Sequence, residues 1–175
     1  MNTHPFYALY ISMLSELYSI ENQISEVLPS ISGSASSAEL REAFDSYDDE
    51  TKIHIQNLHK ILSELKESPN GMRSQAMVSM IEDAKQAVNH GGNSAVKDAA
   101  LIAMLQRMEH YKMAIYGTVR TFARHLNHQL VIELLQKALN EESQANKKLI
   151  KIAEGGYFTH GINTAALKSK VHLNK

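Results

Sequence analysis

Apolar residues recur at intervals of three and four along four long stretches of this chain. That interval matches the 3.6 residues per turn of an α-helix and places the apolar side chains of each stretch on one face. The first predicted helix runs from Pro5 to Leu28, because proline at Pro29 disfavours continuation. The other long helices are predicted from Ser36 to the break at Pro69, over residues 94–126 and over residues 128–154. The pattern therefore predicts an all-α chain.

The links between these helices differ in length. A serine-rich loop precedes Ser36, which forms a predicted capping box with Glu39, and Asn127 alone separates the third helix from the fourth. Links this short join antiparallel neighbours. The second and third long helices are separated by more than twenty-five residues, which include a shorter predicted helix over residues 72–89. Such a link can cross the whole bundle, so we expect a crossover rather than up-down-up-down wiring.

Each predicted long helix carries one glutamate near its middle on the apolar side. These residues are Glu21, Glu50, Glu109 and Glu142. A carboxylate in a bundle core is costly unless pairing, protonation or a metal ion neutralises it. Four of them, one per helix, are what a dinuclear metal site requires, and His54 lies one turn after Glu50, close enough to bind the same ion. The alternative is that the glutamates lie at core edges and reach solvent. Tyr18 and Tyr47 are candidate hydrogen-bond donors to these carboxylates, although packing alone also explains them.

Composition excludes several classes of function. The net charge of -1 gives no basic surface for nucleic acid, and no glycine-rich phosphate loop suggests a nucleotide. The apolar stretch at the start of the first helix is broken by the polar residues Ser12, Ser15 and Glu16, so we expect no membrane span. The absence of cysteine excludes disulfides and thiolate zinc sites and suits a reducing cytoplasm, where we expect the protein.

Motifs in all four long helices together resemble one protein family. They are residues 17–23, Ala43-Phe44 with Glu50-Thr51, residues 98–102, residues 109–111 with 115–118, and residues 134–142. The combination is similar to the YciE/YciF-type proteins, a bacterial branch of the ferritin-like superfamily, over about residues 10–155. The resemblance implies one ferritin-like four-helix domain over residues 1–175, with a core bundle over about 5–155 and a C-terminal tail over 156–175.

The resemblance also implies chemistry and assembly. Members of this family are associated with bacterial stress responses, and the resemblance implies a homodimer and a dinuclear metal centre, expected to be iron, with manganese as the alternative. Carried over by position, the ligands are Glu21, Glu50, Glu109 and Glu142, with His54 beside them. Such a centre suits oxidation of ferrous iron or removal of peroxide, so a di-iron oxidoreductase is the enzyme hypothesis.

Two positions depart from the family pattern. Relatives usually carry an acid where this chain has Lys112, three residues after Glu109, and another where it has Asn146. Both changes remove negative charge. If Lys112 points inward, its ammonium can pair with Glu109 or Glu142 in place of a metal ion, whereas ligation by His54 would preserve a site. A metal-free structural or interaction protein therefore remains the alternative function.

The C-terminal tail also bears on assembly. It follows two glycines, is expected to add one short helix, and carries apolar side chains that need a covering surface. They are Tyr157, Phe158, Ile162, Ala165, Ala166 and Leu167. The tail either lies on its own bundle or reaches a twofold-related copy. We expect a homodimer and no cage.

Overall fold

The computed structural model describes residues 4–69, 73–89, 92–156 and 159–169. Within these ranges the chain forms six α-helices and one pair of two-residue strands. The helices are α1 (Pro5–Ser34), α2 (Ala38–Glu64), α3 (Gln75–Asn89), α4 (Ser94–His125), α5 (Gln129–Glu154) and α6 (Ile162–Lys168), and the strands are β1 (Gly155–Gly156) and β2 (Thr159–His160). The predicted all-α class is confirmed. No described helix is both long and apolar enough to cross a membrane.

The first helix does not stop at Pro29, so the boundary predicted from proline is wrong. α1 continues to Ser34, with Pro29 inside it. Proline removes one helical hydrogen bond, but Leu28 and Ile31 on either side of it are buried in the core. Burial of the last turn therefore offsets the missing bond, and the helix ends only where Ala35 becomes extended.

The second helix is capped one residue later than predicted. The Ser37 hydroxyl, not that of Ser36, accepts a hydrogen bond from the Leu40 backbone N–H at 3.3 Å. The helix ends at Glu64, before the predicted break at Pro69, because Lys66 takes the left-handed conformation with φ of 58°. Asn127, between α4 and α5, takes the same conformation at φ of 56°, as its predicted role as a break requires.

A hydrogen-bonded contact between α2 and α4 establishes the wiring. The Asp98 carboxylate, in the first turn and a half of α4, accepts from the backbone N–H groups of Ser36 and Ser37, each at 2.8 Å. α2 and α4 therefore begin at the same end of the bundle. The chain between the end of α2 and the start of α4 must return along the full length of the molecule, which is the crossover expected from the link length.

The crossover helix α3 packs against α1 and α4. Met77, Ile81 and Ala84 form its buried face. Just before α3, the Ser74 hydroxyl donates to a Glu16 carboxylate oxygen at 3.3 Å, and the Tyr111 hydroxyl donates to the same oxygen at 3.1 Å. These contacts tie the crossover to both helices that it covers.

The described part of the tail lies on its own bundle. α6 packs against α4 and α5, and β1 and β2 pair through Gly155–His160 and Gly156–Thr159. At Gly161 the tail touches the end of α5 so closely that a Cβ would overlap backbone atoms of Ala153, Glu154 and Gly155. Of the predicted apolar tail residues, Tyr157 and Phe158 lie outside the described residues, and Leu167 is 87% exposed.

Candidate functional site

Three helices bring a carboxylate, an imidazole and a second carboxylate together in the middle of the bundle. Glu21 comes from α1, His54 from α2 and Glu142 from α5, and all three are buried. His54 Nδ1 lies 3.4 Å from Glu21 Oε1 and 3.3 Å from Glu142 Oε1. One ligand atom from each residue lies within 4.8 Å of the others, a spacing at which one cation can contact all three.

The third long helix, α4, supplies a buried ammonium group. Lys112 Nζ lies 2.8 Å from Glu21 Oε2 and 2.7 Å from Glu142 Oε1, and it donates a hydrogen bond to the Tyr47 hydroxyl at 3.0 Å. Lys112 thus points inward and pairs with Glu142, as the metal-free alternative requires. Its second partner is Glu21, which the sequence did not indicate.

Two buried phenols complete the hydrogen bonding. The Tyr116 hydroxyl donates to Glu21 Oε1 at 2.6 Å, and the Tyr47 hydroxyl donates to Glu142 Oε2 at 3.4 Å. Burial and the nearby carboxylates raise the pKa of both tyrosines well above the usual value. Both phenols therefore remain neutral donors. Tyr47 was a predicted donor, whereas Tyr116 was not singled out.

The charges of this cluster balance without a metal ion. Burial opposes ionisation of Glu21, but Lys112 and His54 outweigh it and lower the Glu21 pKa to about 2. Burial disfavours the charged imidazole, but the adjacent carboxylates of Glu142 and Glu21 raise the His54 pKa to about 10. The same two carboxylates raise the pKa of Lys112 against burial. The geometry thus pairs the carboxyl groups of Glu21 and Glu142 with the two basic side chains, His54 and Lys112.

Glu109 and Glu50 lie apart from this ion-paired group. Glu109 is fully buried, and neither of its carboxyl oxygens has a hydrogen-bond partner among the described residues. Burial, together with Glu142 and Glu50, raises its pKa to about 9, so the carboxyl is protonated at neutral pH. Glu50 is only partly buried, and burial and Glu141 raise its pKa. Both line a cavity of about 340 Å³. Their assignment as metal ligands stays a prediction.

Two further residues contact or adjoin the site without having been predicted. Glu141 Oε2 lies 3.0 Å from His54 Nε2, so the imidazole is held at both nitrogens. Thr51 is fully buried three residues before His54, and its hydroxyl has no hydrogen-bond partner among the described residues. The spacing of Thr51 and His54 on one helical face was a usable signal. The sequence gives no comparable signal for Glu141, because this residue is next to Glu142 in the chain but points about 100° away from it round the helix.

The donor set fits one metal ion better than two. Glu21, His54 and Glu142 offer two oxygens and, once a metal ion displaces the Nδ1 proton of the imidazole, one nitrogen. A carboxylate on the far imidazole nitrogen is the usual support for a histidine ligand. Lys112 Nζ, however, occupies the position between Glu21 and Glu142 that a second cation would take. A dinuclear centre needs this ammonium to move away.

Comparison with known proteins agrees with the resemblance inferred from the motifs. The DUF892 family, a domain of unknown function, matches residues 6–164. Protein YciF of Escherichia coli K12 is 33% identical over 154 residues, which are 87% of this chain and 93% of that protein. The crystal structure of the E. coli stress protein YciF matches with a TM-score of 0.83 at 30% identity, covering 97% of this chain and all of the other. YcfI of Rhodopseudomonas palustris matches with a TM-score of 0.82 at 31% identity, covering 87% of this chain and 98% of the other. The chain therefore belongs to the DUF892 family and is a relative of YciF.

Proposed function

We propose that this protein is a ferritin-like stress protein that binds one divalent metal ion through Glu21, His54 and Glu142. The observation that carries this proposal is the convergence of three ligand atoms within 4.8 Å, from three helices, in the bundle core. Oxygen ligands with one imidazole suit iron or manganese. The relation to YciF, which is described as a stress protein, supports the stress-associated role.

The residues of the chain prepare the site in distinct ways. Lys112 supplies the positive charge that a second ion would bring, and Tyr116 holds one oxygen of Glu21 in a hydrogen bond of 2.6 Å. Glu141 fixes the imidazole plane of His54 from the solvent side. An iron or manganese ion bound here would supply redox chemistry toward dioxygen or peroxide. Oxidation of ferrous iron or removal of peroxide is therefore the proposed activity.

The dinuclear centre implied by the family is the extended form of this proposal. It would add Glu50 and Glu109 as ligands and would require Lys112 to leave Glu21 and Glu142. We favour the mononuclear form because the ammonium makes two ion pairs of 2.7 and 2.8 Å in a fully buried position.

Metal stoichiometry distinguishes these forms. Protein purified without chelator and then loaded with Fe²⁺ under argon, or with Mn²⁺, should hold about one ion per chain by elemental analysis, the number that a single three-ligand site supports. The His54→Ala variant should hold almost none, and Glu50→Ala should keep the bound ion. Two ions per chain, with one lost in Glu50→Ala, would support the dinuclear form instead.

A metal-free structural protein is the second candidate, favoured by the charge balance of the site. Lys112 and His54 already neutralise Glu21 and Glu142, so the bundle needs no ion to bury them. In this case the parent protein binds no metal, and Lys112→Glu creates affinity that the parent lacks. Stoichiometric metal in the parent would exclude this candidate.

We also propose a homodimer located in the cytoplasm. Large apolar side chains remain exposed on the single chain, among them Leu9 at 49%, Ile53 at 46% and Leu167 at 87%. Apolar side chains of this size are candidates for burial between copies. The cytoplasm is supported by the absence of cysteine.

A further inference from the structure

A cavity between α2, α4 and α5 approaches the ion-paired group from one side. Its volume is about 340 Å³. Ser46 and Lys148 on its rim are exposed, Glu50 is partly buried, and Glu109 on its wall has no exposure. The cavity therefore leads from the surface of the bundle toward its core.

Three carboxyl groups lie in or beside this cavity. Glu50 and Glu109 line the cavity and interact electrostatically with each other, and both interact with Glu142 in the ion-paired group. Their burial increases from Glu50 to Glu109 and Glu142. A divalent cation moving inward would thus meet a carboxyl group at each stage, and it would displace the Glu109 proton as it binds.

Tyr47 links the cavity to the ion-paired group. Its side chain lines the cavity, while its hydroxyl accepts from Lys112 at 3.0 Å and donates to Glu142 at 3.4 Å. The cavity and the candidate metal ligands are therefore neighbours across a single aromatic side chain.

Glu109 is the feature of this cavity that internal packing leaves unexplained. Both carboxyl oxygens are buried without a hydrogen-bond partner among the described residues, a state that costs about 1–3 kcal/mol or more for a polar group. A cation passing through the cavity would satisfy these oxygens. The space is sufficient, because one water occupies about 30 Å³ and the cavity can hold an ion with several waters.

We infer that this cavity is the route by which a divalent cation reaches Glu21, His54 and Glu142, with Glu50 and Glu109 as successive binding positions. The inference rests on the proposed metal binding. It assigns Glu50 and Glu109 to the delivery of the ion, a role different from permanent ligation.

Reversible blockage of the cavity rim tests the route. The chain has no cysteine, so a Ser46→Cys variant carries a single thiol on the rim. Ser63→Cys is the matched control, because Ser63 is also an exposed serine of α2 and lies 17 residues further along. Each chelator-stripped variant is modified with a positively charged methanethiosulfonate, and Co²⁺ binding is then followed by stopped-flow absorption.

Modification at position 46 should slow Co²⁺ association about tenfold or more, the lower range for loss of electrostatic guidance into a cleft. Removal of the label with a thiol reductant, followed by desalting, should restore the rate, and the Ser63→Cys protein should be unaffected throughout. An unchanged rate in the modified Ser46→Cys protein would overturn the inferred route.

Removal of the two carboxyl ligands provides the second test, because Glu50→Gln removes a charge and Glu109→Gln removes a group that can release its proton to a metal ion. Glu50→Gln and Glu109→Gln should each slow Co²⁺ association about tenfold while the final stoichiometry stays at one ion per chain. Glu64→Gln, at an exposed position near the end of α2, should leave the rate within about twofold, as expected for a distant screened charge. Equal rates in all three variants, with normal stoichiometry, would refute the route alone. If the parent binds no Co²⁺ at equilibrium, the proposed metal site itself fails, and the route fails with it.

Discussion

Lys112 determines how the centre behaves without metal. Its ammonium group is fully buried and contacts one carboxylate from each side, on Glu21 and Glu142. A buried ion pair adds little net stability over an apolar pair, but removal of one partner leaves an uncompensated charge. Removal of Lys112 is therefore expected to cost more stability, through the carboxylates left unpaired, than its ion pairs contribute in net terms.

Replacement of Lys112 by methionine should destabilise the metal-free protein by about 3–5 kcal/mol, because two buried carboxylates would lose their shared partner. Urea unfolding followed by circular dichroism measures this. Lys137→Met is the control, since Lys137 is exposed and makes only a 3.6 Å surface pair with Glu141. Saturating Mn²⁺ should recover more stability in Lys112→Met than in the parent. Equal stabilisation of both proteins would contradict the view that the ammonium occupies the position of a second cation.

Glu109 should make the metal-free protein less stable as pH rises. Its pKa is about 9 in the folded protein and about 4.5 in the unfolded chain, so the unfolded chain releases this proton first. The contribution of the protonated carboxyl is complete below about pH 4.5 and is lost as pH rises toward 9. Glu109→Gln has no such proton to lose. As pH rises, the unfolding free energy of the variant should therefore increase relative to that of the parent by up to about 1.4 kcal/mol per pH unit. The measurement is the unfolding free energy from pH 5 to 9 in the presence of chelator, with Glu64→Gln as control. Parallel pH curves for the parent and Glu109→Gln would contradict this prediction.

Some site residues were predictable and others depended on packing. Glu21 and Glu142 lie on the apolar faces of helices whose period is clear, so their inward direction followed from the sequence. On α2, Glu50, Thr51 and His54 lie within one broad face. Only the way α2 packs against its neighbours places His54 with the two carboxylates and Glu50 at the cavity. That choice depends on tertiary contacts that periodicity does not contain.

The helical elements were predictable in kind but not in every boundary. Their period and the long link after α2 predicted the all-α class and the crossover. The end of α1 could not be predicted from Pro29, because burial of Ile31 carries the helix through the proline. Asp98 contacts the start of α2 across a sequence separation of 61 to 62 positions. No local sequence pattern predicts a contact at this separation.

Asp98 should hold the first turn of α2 in place. Its carboxylate accepts two charge-assisted hydrogen bonds of 2.8 Å from Ser36 and Ser37. Asp98→Ala should therefore cost about 2–4 kcal/mol of unfolding free energy, the range expected for hydrogen bonds to a charged group. Amide hydrogen exchange at Ser36 and Ser37 should accelerate, whereas Asp83→Ala, at an exposed position on α3, should change neither quantity. Unchanged protection of both amides would rule out this role.

At the scale of the whole molecule, the proposed homodimer can be checked separately from the tail. Light scattering at micromolar concentration should give twice the chain mass of 19.6 kDa. Because α6 packs on α4 and α5 of its own chain, truncation after Glu154 should expose part of these helices but leave the protein dimeric, at twice the mass of the shortened chain. A monomeric mass for the full chain would refute the homodimer. A dimer lost only on truncation would place the tail in the interface.

The crossover divides the molecule into two helical hairpins, and each hairpin contributes one acidic and one basic side chain to the ion-paired group. The α1–α2 hairpin contributes the acid Glu21 and the base His54, and the α4–α5 hairpin contributes the acid Glu142 and the base Lys112. The pairs Lys112–Glu21 and His54–Glu142 then join one hairpin to the other. Two copies that exchanged a hairpin through the long link would rebuild two complete centres with every charge paired. The long link would therefore permit the proposed homodimer to form by exchange of a hairpin, and each proposed metal site would then be shared between two chains.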